Sequence, residues 1–303
     1  MDEQLATDHL DVRWIHGSAS RRRRTDPAWQ VHHHRDDTVI LRQSKDDTYE
    51  APFTFLLFGA DRAFLLDTGA TKDDGLGHIV DALVDGWLAE HPASAYQLVV
   101  AHSHGHGDHV AGDATFADRP GTTVVGKTAD DVQAFFGFTS WPDEVVGFDL
   151  GDRRLELMGL PGHHAASIVV YDERTGLLLS GDSVYPGRIY VTDLPAFIDS
   201  MNRLVAFVEA RTVTHVLGCH IEMTTRPGRD YPIGCRYQPD EPPLEMTVPQ
   251  LRDLRDAAVS VADRPGPTRF DDFWIVNGMG LRSQAPLIAR GLLGRAVDLV
   301  RRR

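Results

Sequence analysis

The sequence predicts an α/β fold, and three observations carry that expectation. Short apolar runs rich in β-branched residues, bounded by turn residues, read as buried strands. Between two of them, residues 73–90 place Ile79, Leu83 and Trp87 four apart, with Val80, Val84 and Leu88 beside them, as an amphipathic helix does. Strand, helix and strand in alternation imply a sheet with helices on its outside. Lastly, histidines and aspartates stand where several of these runs end, so polar chemistry gathers at strand termini.

Composition excludes several classes. With 42% hydrophobic and 25% charged residues, the 303-residue chain has ample apolar material for one large domain or two. A net charge of −13 argues against nucleic acid or an anionic membrane surface as partner. Cys219 and Cys235 are the only cysteines, too few for a disulfide framework or a Cys-rich zinc site. No apolar run approaches the roughly 20 residues of a membrane span, and the first residues show no secretory pattern. A cytoplasmic protein with a small-molecule substrate is the expectation.

Residues 1–37 are polar and read as an irregular segment, with Arg21–Arg24 a solvated loop and His32–His34 on the surface. The strand pattern begins at Thr38–Leu41. Phe53–Phe58 and Ala63–Leu66, joined by a polar turn, form a β-hairpin that ends in Asp67-Thr68-Gly69. An unpaired carboxylate there is costly, so Asp67 is expected to cap the following turn. After the helix, the strand Gln97–Ala101 runs directly into His102-Ser103-His104-Gly105-His106-Gly107-Asp108-His109. Imidazole and carboxylate suit zinc and neighbouring transition metals. In extended chain, residues two apart point the same way, so His104 and His106 can hold one ion. A tightening of the chain then aims Asp108 and His109 at a second. Gly105 and Gly107 let the backbone curl closely. Ser103 has no partner base and is not read as a nucleophile.

Further on, Thr122–Val125 is a strand and residues 128–137 a short helix. Arg154–Leu160 is a strand ending in Pro161-Gly162-His163-His164, and Ser167–Tyr171 with Leu177–Ser180 forms a hairpin ending in Gly181-Asp182. Residues 195–210 are a helix, and Thr214–Gly218 is a strand leading to Cys219-His220. Neighbours in an extended strand point oppositely, so Cys219 is expected to be a small buried hydrophobe. Residues 226–244 are a loop, Leu251–Val261 a helix and residues 286–300 another. Domain boundaries follow at 1–37, 38–225 and 226–303, the last a loop and helical extension packed on the same core.

His104-Gly105-His106-Gly107-Asp108-His109 matches His-x-His-x-Asp-His at every fixed position and resembles the signature of the metallo-β-lactamase superfamily. Gly162-His163, Gly181-Asp182 and His220 match that family's downstream motifs in order. The resemblance implies an αββα sandwich over residues 38–225, two facing mixed sheets with helices outside. It implies His104, His106 and His163 on one ion, Asp108, His109 and His220 on a second, and Asp182 bridging them. Asp67 would sit behind the metals, and His164 would be a neighbour. Members that hydrolyse antibiotics commonly have cysteine where Asp182 stands, so aspartate points to the glyoxalase-II-like and lactonase-like branch. Tyr185, three residues after Asp182, is similar in spacing to a metallo-lactonase tyrosine that bonds the substrate carbonyl. Arg188 and Tyr190 lie close enough in sequence to meet an anionic or polar group.

The expected cofactor is Zn2+, two ions per chain, with iron or manganese as alternatives. Two such ions lower the pKa of a shared water from about 15.7 to about 7. Hydroxide then attacks an ester, thioester or lactone carbonyl, with Asp108 as a catalytic proton relay. β-Lactam or phosphodiester hydrolysis, a mononuclear iron persulfide-dioxygenase-like activity and a non-catalytic metal-binding role are the alternatives on the same scaffold.

Overall fold

Side-chain alternation along the strands builds the layers. In the computed structural model, which describes residues 10–278, 280, 285, 287–292 and 294, β1 (Trp29–Arg35), β2 (Thr38–Gln43), β3 (Phe53–Phe58), β4 (Arg62–Leu66), β5 (Gln97–Ala101) and β6 (Thr122–Val124) form one sheet in chain order. The first four strands run antiparallel, whereas β4, β5 and β6 are parallel. Along β3, Phe55 and Leu57 face one side and Leu56 and Phe58 the other. The outer set packs with Leu41, Leu65 and Val100 under α1 (Gly75–Glu90) through Leu76 and Val80. This helix is the crossover that parallel β4 and β5 require.

A second sheet repeats the arrangement. It comprises β7 (Val145–Asp149), β8 (Arg154–Gly159), β9 (Ile168–Asp172), β10 (Leu177–Gly181), β12 (His215–Gly218) and β13 (Glu245–Met246), in the order β13-β12-β10-β9-β8-β7. Its inner residues Leu155, Leu157, Ile168, Val170, Leu179 and Leu217 meet Phe55, Leu57, Phe64 and Leu66 in the central core. Each fully buried Leu or Phe there contributes about 1.5–3 kcal/mol by leaving water. Its outer residues Met158, Val169, Leu178 and Val216 are covered by α4 (Leu194–Glu209) and α5 (Val248–Ser260). The result is an αββα sandwich, as expected.

One buried cation ties the sheets together. Arg153 forms a two-point pair with Asp172, at 3.0 and 2.7 Å, and donates to the Phe58 carbonyl, the Asp37 carbonyl and the Thr38 hydroxyl at 3.1, 2.6 and 2.8 Å. Both side chains of the pair are fully buried.

Three expectations change. Residues 29–35 are not irregular: they form β1, paired with β2. As an edge strand β1 leaves Val31 and His33 exposed, so its polar sequence hides the period-two signal. Residues 10–18 also pack down, with Trp14 edge-on to Phe53 at 4.9 Å. The third portion is not simply loop and helix, because β14 (Gly266–Arg269) and β15 (Trp274–Asn277) join β11 (Arg188–Val191) in a small sheet of order β11-β15-β14. Parallel pairing of β15 with β11 binds the tail to the main body. The helix expected at 286–300 is seen at 287–292 and 294; its other residues lie outside the described residues. No described helix is long and apolar enough to cross a membrane.

Candidate metal centre

Four loops at one end of the sandwich bring the predicted residues together. The segment after β5 bends through residues 103–106, with His106 itself extended, then tightens into α2 (Gly107–Val110). His104 Nε2 and His106 Nδ1 lie 2.9 Å apart, and His163 Nε2 is 3.1 and 3.0 Å from them. Nitrogens around a tetrahedral zinc would sit about 3.3 Å apart for Zn–N near 2.0–2.1 Å, so the cage is close to the right size. Asp108, His109, Asp182 and His220 form a second group whose ligand atoms lie within 4.8 Å of one another. Asp182 spans both: Oδ2 is 3.9 and 3.8 Å from His104 and His163, and Oδ1 is 3.4 Å from His220. That Oδ1 is buried without a hydrogen-bond partner, a cost that a cation would remove.

Hydrogen bonds behind the rings fix which nitrogen faces the cluster. His163 Nδ1 donates to the Tyr190 carbonyl at 2.7 Å and His220 Nδ1 to the Glu50 carbonyl at 3.1 Å. A carbonyl only accepts, so the proton is on Nδ1 and the lone pair of the neutral ring on Nε2. His109 Nδ1 lies 2.8 Å from Asp67 Oδ2 and is held in the same sense. Asp67 is wholly buried and also accepts from the Ser103 amide at 2.7 Å and the Ser103 hydroxyl at 2.8 Å. Its acceptors are engaged across the fold, in place of the local turn cap expected for it. Its φ of +71° is a conformation L residues seldom adopt. Gly181, at φ +54°, must be glycine for contact too, since a Cβ would stand 2.8 Å from Ser103 Cβ. A Cβ on Gly105 would come 3.0 Å from the Lys127 carbonyl, whereas Gly107 has open space around it, so close approach explains only the first.

Electrostatics divide the two groups. Burial, helped by His109, holds His104 well below the ordinary imidazole value, and burial lowers His163 and His106 too. These rings are therefore neutral at neutral pH, with a lone pair to offer. Burial also opposes charge on His220 and His109, but carboxylates outweigh it: Asp182 and Asp108 push His220 up to about 9, and Asp67 with Asp182 raises His109 well above its usual value. Conversely, His109 and His220 overcome burial to bring Asp108 down to about 2. The carboxylates of the second group thus attract positive charge to the two rings, protons here, and a metal cation would draw on the same attraction.

The cluster forms the floor of a cavity of about 300 Å³. Sequence reasoning missed Tyr49, Glu50, Glu222 and Ile233 on its walls. Isolated loop residues carry no signal, except that Glu222 stands two after His220. Tyr185 lines the cavity, yet its hydroxyl donates to the Arg188 carbonyl rather than facing a substrate. Burial and the adjacent Glu222 raise its pKa well above the usual phenol value. The Arg188 guanidinium is likewise spent, on Glu222, Asp230, the Tyr231 carbonyl and the Tyr190 hydroxyl. Cys219 is buried as expected, but it reaches the back of the site, its thiol donating to Asp67 at 3.2 Å. His164 stands beside His106, ring centroids 5.0 Å apart, and belongs to neither group.

A family model described as the metallo-beta-lactamase superfamily matches residues 48–232, more than half of the chain. The chain belongs to that superfamily. Among the curated relatives of this superfamily member, a hydroxyacylglutathione hydrolase of Erythrobacter litoralis is 26% identical over 151 residues, 46% of this chain and 55% of the relative. The acyl-coenzyme A thioesterase MBLAC2 of Gallus gallus is 36% identical over 78 residues, 24% of this chain and 28% of the relative. The chain thus spans about half or less of the curated relatives it matches. Among solved structures, a metallo-beta-lactamase from Erythrobacter litoralis aligns with a TM-score of 0.52 at 14% identity, covering 78% of this chain and 98% of that one. TMB-1 aligns equally well, over 78% of this chain and all of its own. Likeness at that identity concerns the fold.

Proposed function

We propose that this chain is a hydrolase that uses two divalent cations, zinc by preference, to cleave an ester, thioester or lactone of a small molecule. The supporting observation is the convergence of His104, His106 and His163, and of Asp108, His109 and His220, around a buried Asp182 on the floor of one cavity. The name of one relative, an acyl-coenzyme A thioesterase, favours the thioester. Bound cations would supply Lewis acidity and an acidified water. The protein does the rest. Asp182, placed between the groups, sets their spacing, and Asp67 holds His109 with its Nε2 inward. Asp108, ionised at neutral pH and with 24% of its side chain exposed, accepts a proton on the cavity side. Ser103 supplies no nucleophile, because its hydroxyl is buried and committed to Asp67.

Purified protein should contain two equivalents of metal and hydrolyse an acyl thioester, with chelation abolishing turnover. His106→Ala should lower turnover at least about 100-fold without altering the far-UV spectrum. A correctly folded, metal-free protein, or full turnover in His106→Ala, would sink the proposal.

A further inference from the structure

The cavity's charge points to a narrower substrate class, an inference that rests on the hydrolase reading above. Apart from the metal-type ligands, the charged residues on its walls are Glu50, Glu222 and Arg188. Arg188 is 4% exposed and is held by Glu222 and Asp230. Glu222 is satisfied in turn, by the guanidinium and the Arg188 amide at 2.7 Å. Glu50 differs: no lysine or arginine among the described residues pairs with it. Two cations stand behind this wall, but neither reaches the cavity. Arg42 makes a two-point pair with Glu241 at 2.6 and 2.8 Å, and Lys45 lies 3.7 Å from the same carboxylate, both side chains at most 1% exposed. Tyr49 and Tyr190 complete the rim beside Glu50.

Above the metal-type residues of the floor, a ligand meets a carboxylate and aromatic rings, and no lysine or arginine head on the walls is free to receive an anion. Carboxylate attracts a cation, and phenol rings add cation–π attraction. A carboxylate or phosphate held against the Glu50 wall would be stripped of water beside a like charge, with no lysine or arginine there to receive it.

We propose that Glu50 is a specificity-determining residue that selects substrates by charge: esters and thioesters whose group beside the carbonyl is cationic or neutral are accepted, a quaternary ammonium best of all, and those with an anionic group there are rejected. Glutathione, the carrier in one relative's name, has a carboxylate one residue from its thiol, so the proposal sets this chain apart from that relative.

Three acetyl thioesters test this, those of thiocholine, N-acetylcysteamine and 3-mercaptopropionate, which are cationic, neutral and anionic. The kcat/KM for the cationic ester should exceed that for the anionic one at least about 30-fold, mainly through KM. Glu50→Gln should shrink that ratio to within about threefold, and Glu50→Asp should keep the ranking. Equal turnover of the anionic ester by the unaltered protein, or an unchanged ratio in Glu50→Gln, overturns the proposal. Calorimetry with the corresponding acetamides, one a trimethylammonium and one a carboxylate, separates it from the hydrolase reading. If no thioester is cleaved but the ammonium amide binds more tightly, hydrolysis fails and charge selection stands. If the carboxylate amide binds more tightly, charge selection fails whatever the turnover.

Discussion

Replacing Asp67 by asparagine tests how the fold prepares its histidines. Asp67 lies behind the cluster and accepts from the Ser103 amide and hydroxyl, His109 Nδ1 and the Cys219 thiol. Asparagine tolerates a positive φ about as well as aspartate, so the backbone at φ +71° is not disturbed. Its single carbonyl oxygen keeps the bond to the Ser103 amide. The NH2 group then occupies the place of Oδ2 and donates toward His109 Nδ1, 2.8 Å away in the parent. His109 must answer by accepting at Nδ1, which moves its proton to Nε2, the atom that faces Asp108 and Asp182 at 3.6 Å. A protonated Nε2 cannot ligate. Loss of such a supporting carboxylate costs 10- to 100-fold in metal affinity, about 1.4–2.7 kcal/mol. Competition with a chromophoric chelator measures it, alongside the melting curve of the chelator-treated protein. An affinity within about threefold of the parent's would refute the argument that Asp67 sets the tautomer of His109.

Other predictions follow from buried groups. Arg153→Met strands the fully buried Asp172 and unpairs three backbone or hydroxyl acceptors, so urea unfolding should show a loss of about 3–5 kcal/mol; a loss under about 1 kcal/mol would contradict it. Gly181→Ala forces a side chain into φ +54° against Ser103 and should cost about 1–3 kcal/mol together with metal affinity, read by melting and metal analysis. Lys45 provides a pH signature: burial, with Arg42 adding to it, outweighs Glu241 and lowers its pKa from 10.5 to about 8. Between those values the unfolded chain binds more protons, so this group's contribution to stability rises with pH across that window and is least below pH 8. The rise is roughly 3 kcal/mol, and Lys45→Met should remove it from a stability–pH series; an identical series in the variant would refute the assignment.

Much of the site was readable because ligand chemistry is written locally. The spacing from His104 to His109 predicts two rings on one side followed by a turn, and both the pairing of His104 with His106 and the turn at α2 are seen, although the chain bends rather than running extended through residues 103–106. Strands of the central core were readable for the same reason, since burial on both faces makes Phe53–Phe58 and Leu177–Ser180 apolar at every position but Thr54 and Ser180. Edge strands were not. β1 and β7 alternate exposed and half-buried positions, so half of each carries no hydrophobic signal. β11 and β15, four residues each, depend on a partner far along the chain.

Residue types and their order determined the α/β class, the likeness to the metallo-β-lactamase superfamily and the identity of the clustered histidines and aspartates. Tertiary structure alone decided what each polar group is spent on. Tyr185 and Arg188 were candidates for a substrate until folding gave the phenol to a carbonyl and the guanidinium to Glu222 and Asp230. Glu50, unremarkable in the sequence, became a cavity wall with no lysine or arginine paired to it among the described residues. Hydrogen bonds and ion pairs act over a few ångströms while their partners lie tens to hundreds of residues apart, so a sequence supplies the groups and only the packed chain assigns them.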